Sequence, residues 1–326
     1  MDVLSEVLRV IKLEGAIFYN AEFSAPWVFR APPSHVVAPY FSPGGGHVII
    51  YHLLTDGKCY AALEDGERTA ITAGEVVIFP HGDAHIMGNG QAAAMVHSER
   101  DLHRILEQGV TLARAGGGGE ITRLVCGYMS CDPQLSVTLL AGLPSIVKIN
   151  IRKDDAGRWL ENSIRFSAGE ANAPRAGGEA VLSKLSEVLF VETLRRYIEQ
   201  LPPEQTGWLA GARDPEIGKA LALMHRHPAK PWTIATLAQE VGMSRSVLAA
   251  RFRGFLGEPP MSYLTRWRLQ IGARLLKSGN RSVGEIAAEV GYESEAAFNR
   301  AFKREFEVPP ARFRFNSRTA GTAAQS

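Results

Sequence analysis

Two hydrophobic periods divide the chain. Up to about Asn89 the apolar residues come in short β-rich runs, HVIIYHLL, CYAALE and EVVIFP, separated by Gly, Pro and Asp; this is the pattern of a sandwich or barrel. Four consecutive glycines, Gly116 to Gly119, mark a loop before another strand-like run, ITRLVCGYM. From about Leu139 the runs turn helical: LLAGLPSIVKI, WLENSIRF and EAVLSKLSEVLFVETLRRYIEQL. In the last of these, Leu182, Leu185, Val188 and Leu189 make an apolar stripe that runs on to Glu192 and Arg196, the spacing of an amphipathic helix. Its apolar surface exceeds what a linker needs, which points to homodimerisation. PPEQTG then ends the helix and marks a linker.

Further on the pattern repeats itself. LAQEVGMSRSVLAARF, Leu237 to Phe252, returns as IAAEVGYESEAAFNRAF, Ile286 to Phe302. Ala238, Glu240, Val241 and Gly242 recur as Ala287, Glu289, Val290 and Gly291. After one extra residue, Ser244, Phe252, Pro259 and Pro260 recur as Ser294, Phe302, Pro309 and Pro310. In each copy a Thr or Ser can cap a first helix, a glycine can supply the left-handed turn, and a serine can cap a second helix. Leu237, Val241, Leu248 and Phe252 are spaced to share one core, and the predicted unit is helix, tight turn, helix. Between the copies, Leu264, Trp267, Ile271 and Leu275 fall on one face of a connecting helix.

Composition sharpens this division. At 326 residues and 45% hydrophobic, the chain is long enough for two cores. Its net charge of +2 hides an asymmetry: Arg213 to Arg318 carries 18 Lys and Arg against 10 Asp and Glu, and the rest carries 18 against 24. A basic C-terminal part favours a polyanionic partner. Two reading helices on one chain can enter successive major-groove segments about 34 Å apart without a symmetric dimer. Neither a signal peptide nor a membrane-spanning run is evident, so a soluble, cytoplasmic protein is expected. Cys59, Cys126 and Cys131 are too few for a disulfide framework and read as thiols or metal ligands.

The stretch from WTIATLAQEVGMSRS to SVGEIAAEVGYESEAAFNRAFKREFEVPPARFR resembles the DNA-binding domain of AraC/XylS-type transcriptional regulators over about a third of the chain. Carried across residue by residue, the resemblance implies base contacts at Ser246, Ala249 and Ala250 in the first recognition helix. In the second it implies them at Glu295, Ala296, Asn299 and Arg300. Backbone anchoring falls to Arg245, Arg251, Arg253, Lys303 and Arg304. Ser and Ala offer a hydroxyl or a methyl contact but no bidentate pairing, so direct readout is expected to lean on Asn299 and Arg300, with Arg251 as an extra reader. Arg300 as a phosphate contact, or as the partner of Glu293, stays open.

GEVVIFPHGDAHIMGN, with Gly74, Pro80, Gly82, His85 and Asn89, resembles the second motif of the cupin sensor domain found in one AraC-type subfamily. The first motif is incomplete: Gly46 and His52 are present, Leu54 stands where a second histidine is expected, and no glutamate follows. An oxidative cupin enzyme needs those ligands for its metal, which argues against the alternative of a metal-dependent enzyme fused to DNA-binding helices. His81, His85, Cys126 and Cys131 form a candidate tetrahedral zinc set if Gly127 allows a bulge; buried thiols and hydrogen-bonded histidines are the competing reading. Trp27, His52 and Tyr60 are expected to line an effector pocket.

The expected fold is α+β in two domains. A cupin-like β-barrel or jelly roll with following helices covers 1–158, and a helical dimerisation or linker segment covers 159–212. An all-α domain with two helix-turn-helix motifs covers 213–318, and 319–326 is a disordered tail. The expected function is a sequence-specific regulator of transcription, an activator, controlled by a small molecule, a metal or a redox signal. Its expected partners are double-stranded promoter DNA, RNA polymerase, an effector and a second copy of the chain.

Overall fold

The computed structural model describes residues 2–11, 13–41, 46–91, 94–96, 111–132, 139–169 and 176–323. The chain forms two compact units: 13–131 with 143–197, and 1–12 with 132–142 and 198–326.

The first unit is built on two sheets. One has the order β11-β6-β3-β10-β1-β9 and the other β5-β4-β7-β2-β8. The strands are β1 Glu14–Ser24, β2 Trp27–Ala31, β3 His47–Asp56, β4 Lys58–Leu63, β5 Thr69–Thr72, β6 Glu75–Phe79, β7 His85–Asn89, β8 Ala94–Val96, β9 Thr111–Gly116, β10 Ile121–Cys131 and β11 Val147–Asn150. Most neighbours are antiparallel; β1 pairs with β9, and β2 with β8, in parallel. Trp27, Leu54, Val77, Phe79, Met87 and Leu124 fill a common core.

β3 is buried from Val48 to Thr55 because it is covered on both sides. Val48 and Ile50 pack against Val37 of helix α2, Ser34–Phe41. Tyr51 reaches helix α4, Gly178–Gln200, where its hydroxyl lies 2.6 Å from Ser186 Oγ. Gly127 makes room for that ring, since a Cβ there would lie 2.2 Å from the Tyr51 oxygen. Leu182 and Leu189 of the α4 stripe are therefore spent within their own unit and buried with Ser186, whereas Val188 of the same stripe and Val181 are exposed. This corrects the expectation that the stripe through Leu182 and Leu189 is free for a second copy. Helix α3, Asp155–Gly169, also packs on this unit, and Arg152 donates to Glu161 at 2.5 and 2.6 Å.

Other boundaries shift as well. LLAGLPSIVKI is largely not helical: Val147–Asn150 is a strand on β6 with Val147 and Ile149 buried and Lys148 exposed, a two-residue alternation too short to stand out. Residues 1–12 leave the sheet unit, because helix α1, Val3–Ile11, buries Val3, Leu4, Val7 and Ile11 at helical spacing and packs in the helical unit. That unit continues with α5 Trp208–Arg213, α6 Pro215–Arg226, α7 Ile234–Val241, α8 Arg245–Leu256, α9 Pro260–Ser278, α10 Val283–Glu289, α11 Glu295–Phe306 and α12 Pro310–Ala323. α12 runs through most of the expected disordered tail; residues 324–326 lie outside the described residues.

α9 supports both halves of the repeat. Towards the first, Tyr263 and Trp267 pack on His225 of α6, with ring centroids 5.8 and 4.1 Å away, and the Tyr263 hydroxyl lies 2.8 Å from His225 Nε2 and from the donating Trp208 Nε1. Burial pushes the His225 pKa down to about 3, so this ring is neutral. Towards the second, Gly272 leaves space for Phe298, whose ring would stand 2.9 Å from a Cβ.

Candidate nucleic-acid interface

The repeat folds as two helix-turn-helix pairs. In the first, the Thr233 side chain accepts from the N–H of Thr236 at 3.1 Å, and Thr236 returns the contact to the N–H of Thr233. Gly242 ends α7 at φ 75°, and Ser244 Oγ accepts from the N–H of Val247 at 3.3 Å to start α8. In the second, Ser282 and Glu285 form a reciprocal capping box with distances of 3.1 and 2.7 Å. Gly291 has φ 85°, and Ser294 Oγ accepts from the N–H of Ala297 at 3.2 Å to start α11. Leu237, Ala238, Val241, Leu248 and Phe252 are buried in the first pair, and Ile286, Ala287, Val290, Phe298 and Phe302 in the second. The two copies thus share caps, turns and core.

Their outer faces differ. On α8, Arg245, Ser246, Ala250 and Arg253 are exposed and Ala249 is half-buried. The Ser246 hydroxyl lies 3.2 Å from Ser244 Oγ, beside the cap. On α11, Glu295, Ala296, Arg300, Lys303 and Arg304 are exposed and Asn299 is half-buried. Among the described residues Arg300 makes no ion pair, with Glu293 or any other acid.

Arg251 departs from its expected place. Its guanidinium donates to Asp214 Oδ2 at 2.5 Å and to Glu216 Oε2 at 3.2 Å. Asp214 also caps α6, accepting from the N–H groups of Glu216 and Ile217. Arg251 therefore seats α8 on the start of α6 and, so engaged, is not an extra reader. The DPEIG run, an N-cap residue followed by Pro and Glu, carried the signal for that helix start. Sequence reasoning also passed over Arg268, which holds the turn before α7 by donating to the carbonyls of Pro228 and Lys230 at 2.6 and 2.8 Å. It passed over Val247 too, which is 47% exposed on α8.

In the sheet unit the cupin-like phrase places His85 on β7, facing His52 of β3. The two Nε2 atoms are 2.8 Å apart, His52 Nδ1 is 2.8 Å from Cys126 Sγ, and His85 Nδ1 is 3.0 Å from the Asp83 carbonyl oxygen. Burial holds both imidazoles neutral, His85 with a pKa down to about 4 and His52 well below its usual value, and pushes the Cys126 thiol up. A neutral imidazole has one N–H, and a carbonyl only accepts. His85 Nδ1 therefore donates to Asp83, His52 Nε2 donates to His85, and the thiol donates to His52. The protons run one way along the chain.

This arrangement does not fit the zinc set. His81 Nε2 faces the Leu143 carbonyl oxygen at 2.9 Å instead. β10 keeps regular register from Leu124 to Cys131, so Cys126 and Cys131 point to opposite faces; Cys126 pairs with His52, and Cys131 with His47. The irregularities in the pairing of β10 lie on the neighbouring strands, between Ile17 and Tyr19 of β1 and between Leu54 and Asp56 of β3. Among the described residues no group of three or more His, Cys, Asp or Glu is placed to hold a metal. The pocket set is corrected likewise: Trp27 and His52 are each 1% exposed within the packed core, and Tyr60 lies under the Arg68 guanidinium at 4.2 Å.

Two capped helix-turn-helix pairs in a helical unit, preceded by a double-sheet unit with a cupin-like turn, define a DNA-binding regulator of transcription. Residues 2–199 match the family described as Cupin, and residues 237–316 that described as Helix-turn-helix domain. The chain belongs to the AraC-type transcriptional regulators with an N-terminal cupin domain. It is 31% identical to the HTH-type transcriptional regulator AlkR of Acinetobacter baylyi, over 97% of this chain and 100% of that one. It is 31% identical to a putative AraC-like transcription regulator of Streptomyces lividans, over 96% and 98%. It is 27% identical to the RCS-specific HTH-type transcriptional activator RclR of Escherichia coli, over 96% and 97%. The chain is thus a regulator and not an enzyme. Among the described residues no helix is long and apolar enough to cross a membrane.

Proposed function

We propose that α8 and α11 lie in successive major-groove segments of promoter DNA and that the second helix supplies most of the direct base readout. The observation that carries this is the contrast between α11, where Arg300 is exposed and makes no ion pair among the described residues, and α8, whose exposed base-facing positions are Ser246 and Ala250 and whose Arg251 is committed to Asp214 and Glu216. Arg245, Arg253, Lys303 and Arg304 anchor the phosphates. The full-length protein should bind its promoter fragment with an affinity that falls steeply with salt, by a log–log slope of about −0.9 for each phosphate neutralised. An affinity unchanged between low and moderate salt contradicts the reading.

The cupin unit is the sensor in this reading, and the response to a small molecule, a metal or a redox change is a rise in transcription through RNA polymerase. Support comes from the name of the Escherichia coli relative, an activator, and from the uncharged Cys126–His52–His85 chain set in an otherwise apolar core. A homodimer forms through α3 and α4, where Trp159, Phe166, Val181 and Val188 are between 48% and 65% exposed. A monomeric mass at micromolar concentration contradicts it.

A further inference from the structure

We infer that Val247 is a specificity-determining residue of the first recognition helix and that it reads the 5-methyl group of thymine. This rests on α8 lying in the major groove, as proposed above.

Val247 sits in the first turn of α8, the end of a recognition helix that meets base edges. Its side chain is 47% exposed. Folding gives limited reason for a valine there: a β-branched residue is a weaker helix former than alanine, and this one is only about half covered. The equivalent position in the second copy is Ala297, which is half-buried, so the repeat itself does not call for a large apolar group.

The surroundings narrow the partner. Arg245 and Arg253 are exposed on the same helix and suit a phosphate backbone on either side of a groove. The neighbouring Ser246 hydroxyl is beside Ser244 Oγ at the cap, and the Arg251 guanidinium, one turn on, is held by two acids, which leaves Arg245 and Arg253, both assigned to phosphates, as the long exposed polar side chains near Val247. On the helix surface Val247 lies between Ala250 and Arg251, at the flank of the face that carries Ser246 and Ala250, and a branched apolar side chain reaching a major groove from there meets one apolar feature on the base edges, the thymine methyl.

The test uses the full-length protein on the site it selects from random DNA. Each thymine is replaced in turn by deoxyuridine, which removes the methyl and keeps the pairing edge. Affinities are measured for the wild type and for Val247→Ala, which should fold normally because the residue is exposed. The expected result is a loss of about fourfold at one or two thymines with the wild type, the scale of burying one methyl, and no loss at those positions with Val247→Ala. Such a cycle locates the contact wherever α8 falls along the site. If wild type and variant respond identically to deoxyuridine at every position, the proposal is wrong while the DNA-reading account stands. If no site is selected at all, that account falls, and the proposal with it.

Discussion

The two helix-turn-helix pairs share one plan for folding but differ in their outer faces. Ser244 and Ser294 cap their helices in the same way, and Phe252 and Phe302 are equally buried. On the outside, α8 offers Ser246, Val247 and Ala250 where α11 has Ala296, the half-buried Ala297 and Arg300. Core positions are constrained by packing density, which punishes change at every substitution. Exposed positions on a reading helix carry no such penalty and can diverge toward different base edges. A duplicated scaffold can therefore hold two different readers.

The turns show that even the common plan is not held equally tightly. Gly242 and Gly291 both adopt a left-handed conformation, but a Cβ on Gly242 meets nothing within 4 Å, whereas one on Gly291 would stand 2.7 Å from Ala229 Cα. Gly242→Ala should cost about 1–2 kcal/mol, the left-handed penalty alone. Gly291→Ala should cost about 1–3 kcal/mol more, because backbone must also move. Urea denaturation of both variants checks this; equal losses would mean that the Ala229 segment yields freely.

A second asymmetry is electrostatic. The first pair is backed by His225, kept neutral by burial with a pKa down to about 3, and the second pair has no buried histidine among the described residues. The folded value lies below the ordinary 6.5, so the unfolded chain binds the proton first as pH falls. The stability tied to this ring is complete above about pH 6.5 and is lost on going down toward pH 3. At pH 5 the loss is on the order of 2 kcal/mol. Denaturant melts at pH 7 and pH 5 should show this loss in the wild type and a smaller one in His225→Phe. An equal loss in both would place the acid sensitivity elsewhere.

Much of the second unit was legible because its signals are local. Thr233, Gly242, Ser244 and their counterparts act within one turn, and a repeat states each of them twice. Arg251 shows the limit: its spacing on α8 suits DNA, yet its acids lie 35 and 37 residues away, in the first turn of α6 and at its cap. Cys126 and Cys131 show another, since the choice of strand for the irregularities, β1 and β3 and not β10, depends on pairing that spacing does not encode. The His52–His85 contact was missed for the same reason: the two residues were assigned to different candidate sites, and the sheets bring them together. Helix α1 was hidden by its length, nine residues ahead of a strand-rich region.

The comparison between the two reading helices is tested most directly by selecting bound sequences from random DNA with the wild type and with Arg300→Ala. If Arg300 reads a base edge, the variant should bind its preferred site about 1–3 kcal/mol more weakly and lose preference at one or two base pairs, with the rest of the site unchanged. Ser246→Ala should leave the preferred bases as they are. If Arg300→Ala weakens all sequences equally while Ser246→Ala alters the preferred bases, Arg300 is a phosphate anchor and the first helix, not the second, is the principal reader.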